Sequence, residues 1–221
     1  MFEQPAKAVI AFDLDDTLYA EEDFLLSAYR VICERIAERT GEYHYSALVA
    51  YRTSGLIALD ELLARHDVPF SIDELLEIYR YHRPIIEPRL GVRDVLRELK
   101  ASAHPLVVIT DGRSTTQRAK LKALGLSKVF DEVLISGETG AEKPSPVAFE
   151  MVMKRFPDRE YVYVADNYAK DFIAPRALGW TSIALEDDGR NIHPLPDALE
   201  LRQLPDHKIT DIRETVNYVR N

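Results

Sequence analysis

Three carboxylates and a threonine, Asp13, Asp15, Asp16 and Thr17, fall within five residues, directly after the apolar run Ala8-Val9-Ile10-Ala11-Phe12. The run has the pattern of a strand buried on both faces. Acids clustered at the end of such a strand are costly, because like charges repel and desolvation disfavours each ionised form. A divalent cation together with a phosphate ligand would resolve the conflict. The alternative is a polar turn in which Asp13, Asp15 and Asp16 cap a following helix.

Further chemistry-bearing residues sit at the ends of other apolar runs. Leu106–Thr110 ends in Thr110-Asp111-Gly112, and Tyr161–Ala165 ends in Asp166, with Asp171 five residues on. Lys143 precedes Pro144, downstream of the short run Val133–Ser136. In a doubly wound parallel sheet the carboxyl ends of the strands line one crevice, where ligands bind. Asp13, Asp15, Thr110 and Asp166 should therefore converge there, and Lys143 would supply the positive charge that acids and a phosphate need. Taken singly, Thr110 reads as an ordinary strand end and Lys143 as a surface lysine. Arg113 and Gln117 could line the same crevice. None of the six histidines has a zinc-type spacing to another ligand.

The elements that must position these groups follow an alternating order. Periodicity predicts helices over Val92–Lys100, Ser114–Leu124 with Gly125 behind it, Ser145–Phe156 and Asp171–Leu178. Strands are predicted at Leu106–Thr110, Val133–Ser136, Tyr161–Ala165 and Thr181–Leu185. Such alternation predicts a parallel sheet covered on both faces. Residues 18–87 differ. They read as helices at 22–40, 45–53, around Leu59–Leu63, and from the capping box Ser71-Ile72-Asp73-Glu74 to about His82, with no strand pattern. Residues 186–207 read as loop, and Lys208–Val219 as a short strand and a terminal helix. Trp180 and the tyrosines near it read as core. Arg80-Tyr81-His82-Arg83 reads as a solvated helix end or as a substrate contact.

Composition narrows the function classes. The chain has 221 residues and 46% apolar residues, enough for a core of one or two domains. A formal net charge of -9 argues against a nucleic-acid or anionic-membrane partner. It leaves a small anionic substrate open, since a metal and local cations outweigh the global field. The single cysteine, Cys33, precludes an intrachain disulfide and fits a reducing, cytoplasmic setting. Met1–Lys7 reads as too short and polar for a signal peptide, and no stretch reaches membrane-spanning length.

Phe12-Asp13-Leu14-Asp15-Asp16-Thr17, then Thr110-Asp111-Gly112, then Lys143-Pro144, then Asp166 through Asp171, resembles the four ordered motifs of the haloacid dehalogenase (HAD) superfamily. The helical stretch after the first motif is similar to the small cap of its phosphatase-rich branch. The resemblance implies a Rossmann-like core of residues 1–17 and 88–221 and an inserted helical cap of residues 18–87 that sets substrate choice. It implies a phosphatase of small phosphorylated metabolites, with Asp13 as the nucleophile that forms an aspartyl-phosphate. Asp15 would protonate the leaving oxygen and later take a proton from water, so its pKa should sit near working pH. Thr110, Asp111, Gly112 and Lys143 would bind the phosphate. Mg²⁺ would be held by Asp13, the backbone carbonyl of Asp15, Asp166 and, through water, Asp171. An acid at Asp15 is what the dehalogenases generally lack. Ala165 and Lys170 stand where the family usually has glycine and often asparagine. Lys170 could pair with Asp171 or face solvent. A phosphomutase on the same core, and a non-catalytic phosphate-binding regulatory module, are the alternatives.

Overall fold

The computed structural model describes residues 7–219. Met1–Ala6, most of the stretch read above as no signal peptide, lie outside the described residues. The chain divides into two compact units. One runs to Glu21 and resumes at Glu87, and the other is Glu22–Ile86.

The Glu22–Ile86 unit is built from α1 (Glu21–Thr40, opening on the last residue of the first unit), α2 (Tyr45–Thr53), α3 (Ala58–Arg65) and α4 (Ile72–Tyr81). Ile32, Cys33, Ile36, Leu48, Leu62 and Leu75 meet in its core. The capping box opens α4 as expected: Ser71 Oγ accepts the Glu74 N–H, and Glu74 reaches back to the Ser71 N–H. His82 is buried and packs its ring on Phe24 at 4.7 Å, with Nδ1 against the Tyr79 carbonyl. It is part of the packing rather than of a solvated helix end, whereas Tyr81 beside it is exposed.

The first unit holds α5 (Val92–Ala101), α6 (Ser114–Ala123), α7 (Ser136–Thr139), α8 (Val147–Arg155) and α9 (Ile173–Ala177). Its strands are β1 (Val9–Phe12), β2 (Leu106–Thr110), β3 (Glu132–Ile135), β4 (Tyr161–Ala165), β5 (Thr181–Leu185) and β6 (His207–Ile209). They form one sheet in the order β3-β2-β1-β4-β5-β6, every neighbouring pair parallel. Val9, Ala11, Val107, Ile109, Tyr163 and Ala165 turn one face of the sheet onto Phe149 and Val152 of α8. Alternation sends Ile10, Phe12, Val108 and Val164 to the other face, where they are equally buried. Trp180 stacks on Tyr161 at 4.8 Å and meets Phe149 edge-on at 5.2 Å, a core role as expected.

The register places the chemistry. Phe12 pairs with Val108 on one side and Val164 on the other, and Asp13 N–H still bonds to the Val164 carbonyl. Asp13 therefore lies level with Ile109 and Ala165, and Thr110 and Asp166 lie one step beyond. Two boundaries differ from the periodicity. Ser136 leaves β3 to open α7, because its Oγ accepts the Gly112 N–H at 2.9 Å. Asp171 precedes α9 rather than starting it, because its carboxylate accepts the Asn167 N–H at 3.0 Å and closes a turn.

Phe149 is fully buried between Tyr163 and Trp180. Phe149→Ala should cost about 3–5 kcal/mol of unfolding free energy, measured by urea titration. A loss below about 1 kcal/mol would mean that the face is not packed as described.

Candidate active site

Three acids meet at the carboxyl edge of β1 and β4. Asp13, Asp166 and Asp171, all buried, each offer a carboxylate oxygen within 4.8 Å of the others. Lys143 reaches the cluster from beyond α7. Its Nζ donates to Asp13 Oδ1 at 2.8 Å and to the Tyr163 hydroxyl at 3.1 Å, and faces Asp171 Oδ1 at 2.8 Å. That last contact is an ion pair without hydrogen-bond geometry, so Asp171 Oδ1 is a buried acceptor with no donor. Burial alone would lower the Lys143 pKa, but Asp13 and Asp171 outweigh it and hold the ammonium well above its ordinary value.

At two of the acids burial prevails instead. Burial pushes Asp13 up to about 7, against the pull of Lys143. Burial also pushes Asp166 well above the carboxylate range, reinforced by Asp171 and Asp13. When ionised, three carboxylates and one ammonium leave two negative charges, with one oxygen lacking a donor. A hard divalent cation with oxygen ligands fits that donor set.

Asp15 belongs to a different group. Lys120 Nζ lies 2.6 Å from Asp15 Oδ1, Gln117 Nε2 lies 2.7 Å from Oδ2, and the Tyr19 hydroxyl also donates to Oδ1. Burial works to raise the Asp15 pKa, but Lys120 and these hydrogen bonds outweigh it and hold the carboxyl below its ordinary value. This corrects the expectation of a pKa near working pH. Asp15 contributes no side-chain oxygen to the acid cluster. Glu21 stands 3.9 Å from Lys120, and burial, then Asp15, push it up to about 7.

The remaining expected residues separate by role. Thr110 Oγ1 accepts from Gln117 Nε2 at 2.7 Å, leaving its hydroxyl proton for an acceptor in the crevice. Asp111 braces the loops: its carboxylate accepts the Lys143 N–H at 3.1 Å and Lys170 Nζ at 2.8 Å. Lys170 thus pairs with Asp111 rather than with Asp171, and stays partly exposed. Gly112 commits its N–H to Ser136 and, at φ 131, makes a turn that a side chain would strain. Asp16 does what the capping alternative proposed: its Oδ1 accepts the N–H of Glu21, the first residue of α1, at 2.8 Å. Asp13, Asp15, Glu21, Thr110, Asp166 and Lys170 are among the walls of a cavity of about 110 Å³. Arg113 is exposed.

Sequence reasoning passed over Lys120, Tyr163 and Glu21. One signal was present for the first. Gln117, Lys120, Leu121 and Leu124 share the buried face of α6, so two polar residues occupy an apolar stripe.

A parallel sheet whose central strands deliver acids to one edge, faced by a buried lysine, defines the catalytic core of a class of hydrolases. Residues 10–185 match the model of the haloacid dehalogenase-like hydrolases, and the chain belongs to that family. The chain is 27% identical to a glyceraldehyde 3-phosphate phosphatase of Methanocaldococcus jannaschii, over 96% of each chain. It is 28% identical to a phosphoserine phosphatase of Thermus thermophilus, over 93% of this chain and 96% of that one. Among solved structures, a HAD phosphatase from Thermococcus onnurineus superposes with a TM-score of 0.61 at 22% identity, covering 96% of this chain and 97% of that one.

Between pH 5 and 7 the acids with lowered pKa values are ionised both folded and unfolded and contribute no slope. Asp13 and Glu21, raised to about 7, bind more protons folded than unfolded across this range. Metal-free protein should therefore lose stability as pH rises from 5 to 7, by at most about 1.4 kcal/mol per pH unit for each group. Saturating Mg²⁺ should flatten the slope. Urea unfolding with and without chelator measures it, and a metal-free stability that rises over this range would contradict the burial of these acids.

Proposed function

We propose that this chain is a Mg²⁺-dependent phosphatase of a small phosphate monoester, working through an aspartyl-phosphate on Asp13. The observation that carries the reading is the buried cluster of Asp13, Asp166 and Asp171 around Lys143, three acids with a single cation among them and one oxygen without a hydrogen-bond donor. The named activities of the two phosphatase relatives support it.

Asp13, Asp166, Asp171 and the Asp15 carbonyl would hold the metal. When bound, Mg²⁺ neutralises charge so that an anionic nucleophile can approach an anionic phosphate. In the first half-reaction the Asp13 carboxylate forms a bond to phosphorus while the bond to the leaving oxygen breaks. Lys143, the Thr110 hydroxyl and the loop braced by Asp111 receive the phosphoryl oxygens. In the second, water attacks phosphorus, the bond to Asp13 breaks, and Asp15 takes the proton of the water. The ionised Asp15 held by Lys120 suits this basic step, and the proton it takes from the water is the one it would give to the leaving oxygen in the first half-reaction of the next cycle. The buried Cys33 is consistent with the cytoplasm as the site of action. Among the described residues no helix is long and apolar enough to cross a membrane.

Chelation should abolish release of phosphate from a panel of small phosphate esters, and added Mg²⁺ should restore it. Asp13→Asn, which leaves Lys143 paired with Asp171, should still fold and should lower kcat on the order of 10⁴-fold or more. Full turnover in excess chelator, or an active, folded Asp13→Asn variant, would overturn the reading.

A further inference from the structure

The loop after β5 is not absorbed by the site described above, yet one of its side chains touches the acid cluster. Asp166 is held at both oxygens by neutral donors. Thr17 Oγ1 donates to Oδ1 at 2.9 Å, and Asn191 Nδ2 donates to Oδ2 at 3.2 Å. The contrast with the rest of the cluster is one of charge, since Asp13 and Asp171 face Lys143 while Thr17 and Asn191, which hold Asp166, carry no charge. A neutral amide fixes the orientation of a carboxylate without cancelling the charge that a metal would use.

The orientation of the Asn191 amide follows from its neighbours. Arg89, which can only donate, lies with Nη2 2.6 Å from Asn191 Oδ1. The amide nitrogen must then face Asp166, which accepts. Arg89 is itself fixed, because its other terminal nitrogen, Nη1, lies 2.8 Å from Asp188 Oδ2 and its side chain is buried. The loop backbone is equally constrained. Asp187 Oδ1 accepts the N–H groups of Gly189, Arg190 and Asn191 at 2.8, 3.0 and 3.0 Å, and Asp16 Oδ2 accepts that of Ile192 at 2.8 Å. Asp16 also lies 3.9 Å from Arg89. A chain of contacts thus runs from Asp16 and Arg89 through Asn191 to Asp166, and it ends at a residue read as a metal ligand.

We propose that Asn191, oriented by Arg89, is a positioning residue for the metal site: it fixes the Asp166 carboxylate in the rotamer that receives the divalent cation. The inference rests on the metal reading given above. It gives the loop Glu186–Ile192 a function that neither its composition nor its lack of regular structure suggested. It also explains the burial of Arg89, whose guanidinium would otherwise be an expensive way to tie down a surface loop. Side chains that orient metal ligands in this manner change metal affinity by about 10–100-fold when removed.

The test is Mg²⁺ binding, measured by titration calorimetry on the full chain, alongside the unfolding temperature of the metal-free protein. Asn191→Ala and the similarly sized Asn191→Leu should both weaken Mg²⁺ binding about tenfold or more. The metal-free unfolding temperature should change little, because the loop backbone keeps its Asp187 and Asp16 bonds. Should either variant be less stable, the titration is run below its unfolding transition, where the protein is folded and the comparison holds. Adding Arg89→Ala to Asn191→Ala should weaken Mg²⁺ binding no further, since Arg89 acts through the missing amide. Wild-type affinity in both single variants would overturn the proposal while leaving the metal reading intact. So would a further loss in the double variant comparable to that of Arg89→Ala alone. Wild-type protein that binds no Mg²⁺ would overturn both.

Discussion

One buried ammonium governs the site. Lys143 has almost no access to solvent, and it faces two acids, Asp13 and Asp171, from one point. A charge in such a place is costly unless it is paired, and a pair broken by loss of one partner is costlier still. The surrounding fold can be understood as the set of constraints that keeps this arrangement in register. Parallel pairing sets Asp13 between β2 and β4, Tyr163 rises from β4 to meet Nζ, and Asp111 holds the Lys143 backbone from the end of β2. One cation cannot neutralise three acids, and burial together with their mutual repulsion raises the pKa values of Asp13 and Asp166.

The other lysines of the site follow the same logic with different outcomes. Lys120 binds Asp15 and lies near Glu21, while Lys170 binds Asp111. Each acid group has its own cation, so the site can hold six acidic residues of one edge without collapse of the sheet. The separation also separates roles. Asp15 is kept ionised by its own lysine, apart from Asp13 two residues earlier, whose pKa is raised. Two carboxylates so close in sequence thus shift in opposite directions, because burial prevails at Asp13 while Lys120, Tyr19 and Gln117 outweigh it at Asp15.

Much of this was legible in the chain. The alternation of short apolar runs with helices gave the sheet, and polar residues closing those runs marked the crevice, because strand direction in a parallel sheet leaves little choice of edge. What stayed hidden depends on distance in space. Nothing local distinguishes Lys120 from its neighbours Lys122 and Lys128 except its place on the buried face of α6, and Asn191 lies in a stretch with no periodicity at all. The pKa of Asp15 was misjudged for the same reason: its value is set by a lysine 105 positions away in the sequence. Asp16 shows the limit of reading a motif as one unit, since of three clustered acids it alone caps α1.

The central claim is that Asp13, held by Lys143, carries the phosphoryl group during turnover. Borohydride reduction of protein quenched during steady-state hydrolysis tests it directly, because an acyl phosphate is reduced to the alcohol while a free carboxylate is not. Peptide mass spectrometry should then find homoserine at position 13 in the presence of substrate and Mg²⁺, and aspartate there when either is omitted. Reduction at another carboxylate, or none at any position during sustained turnover, would contradict the account.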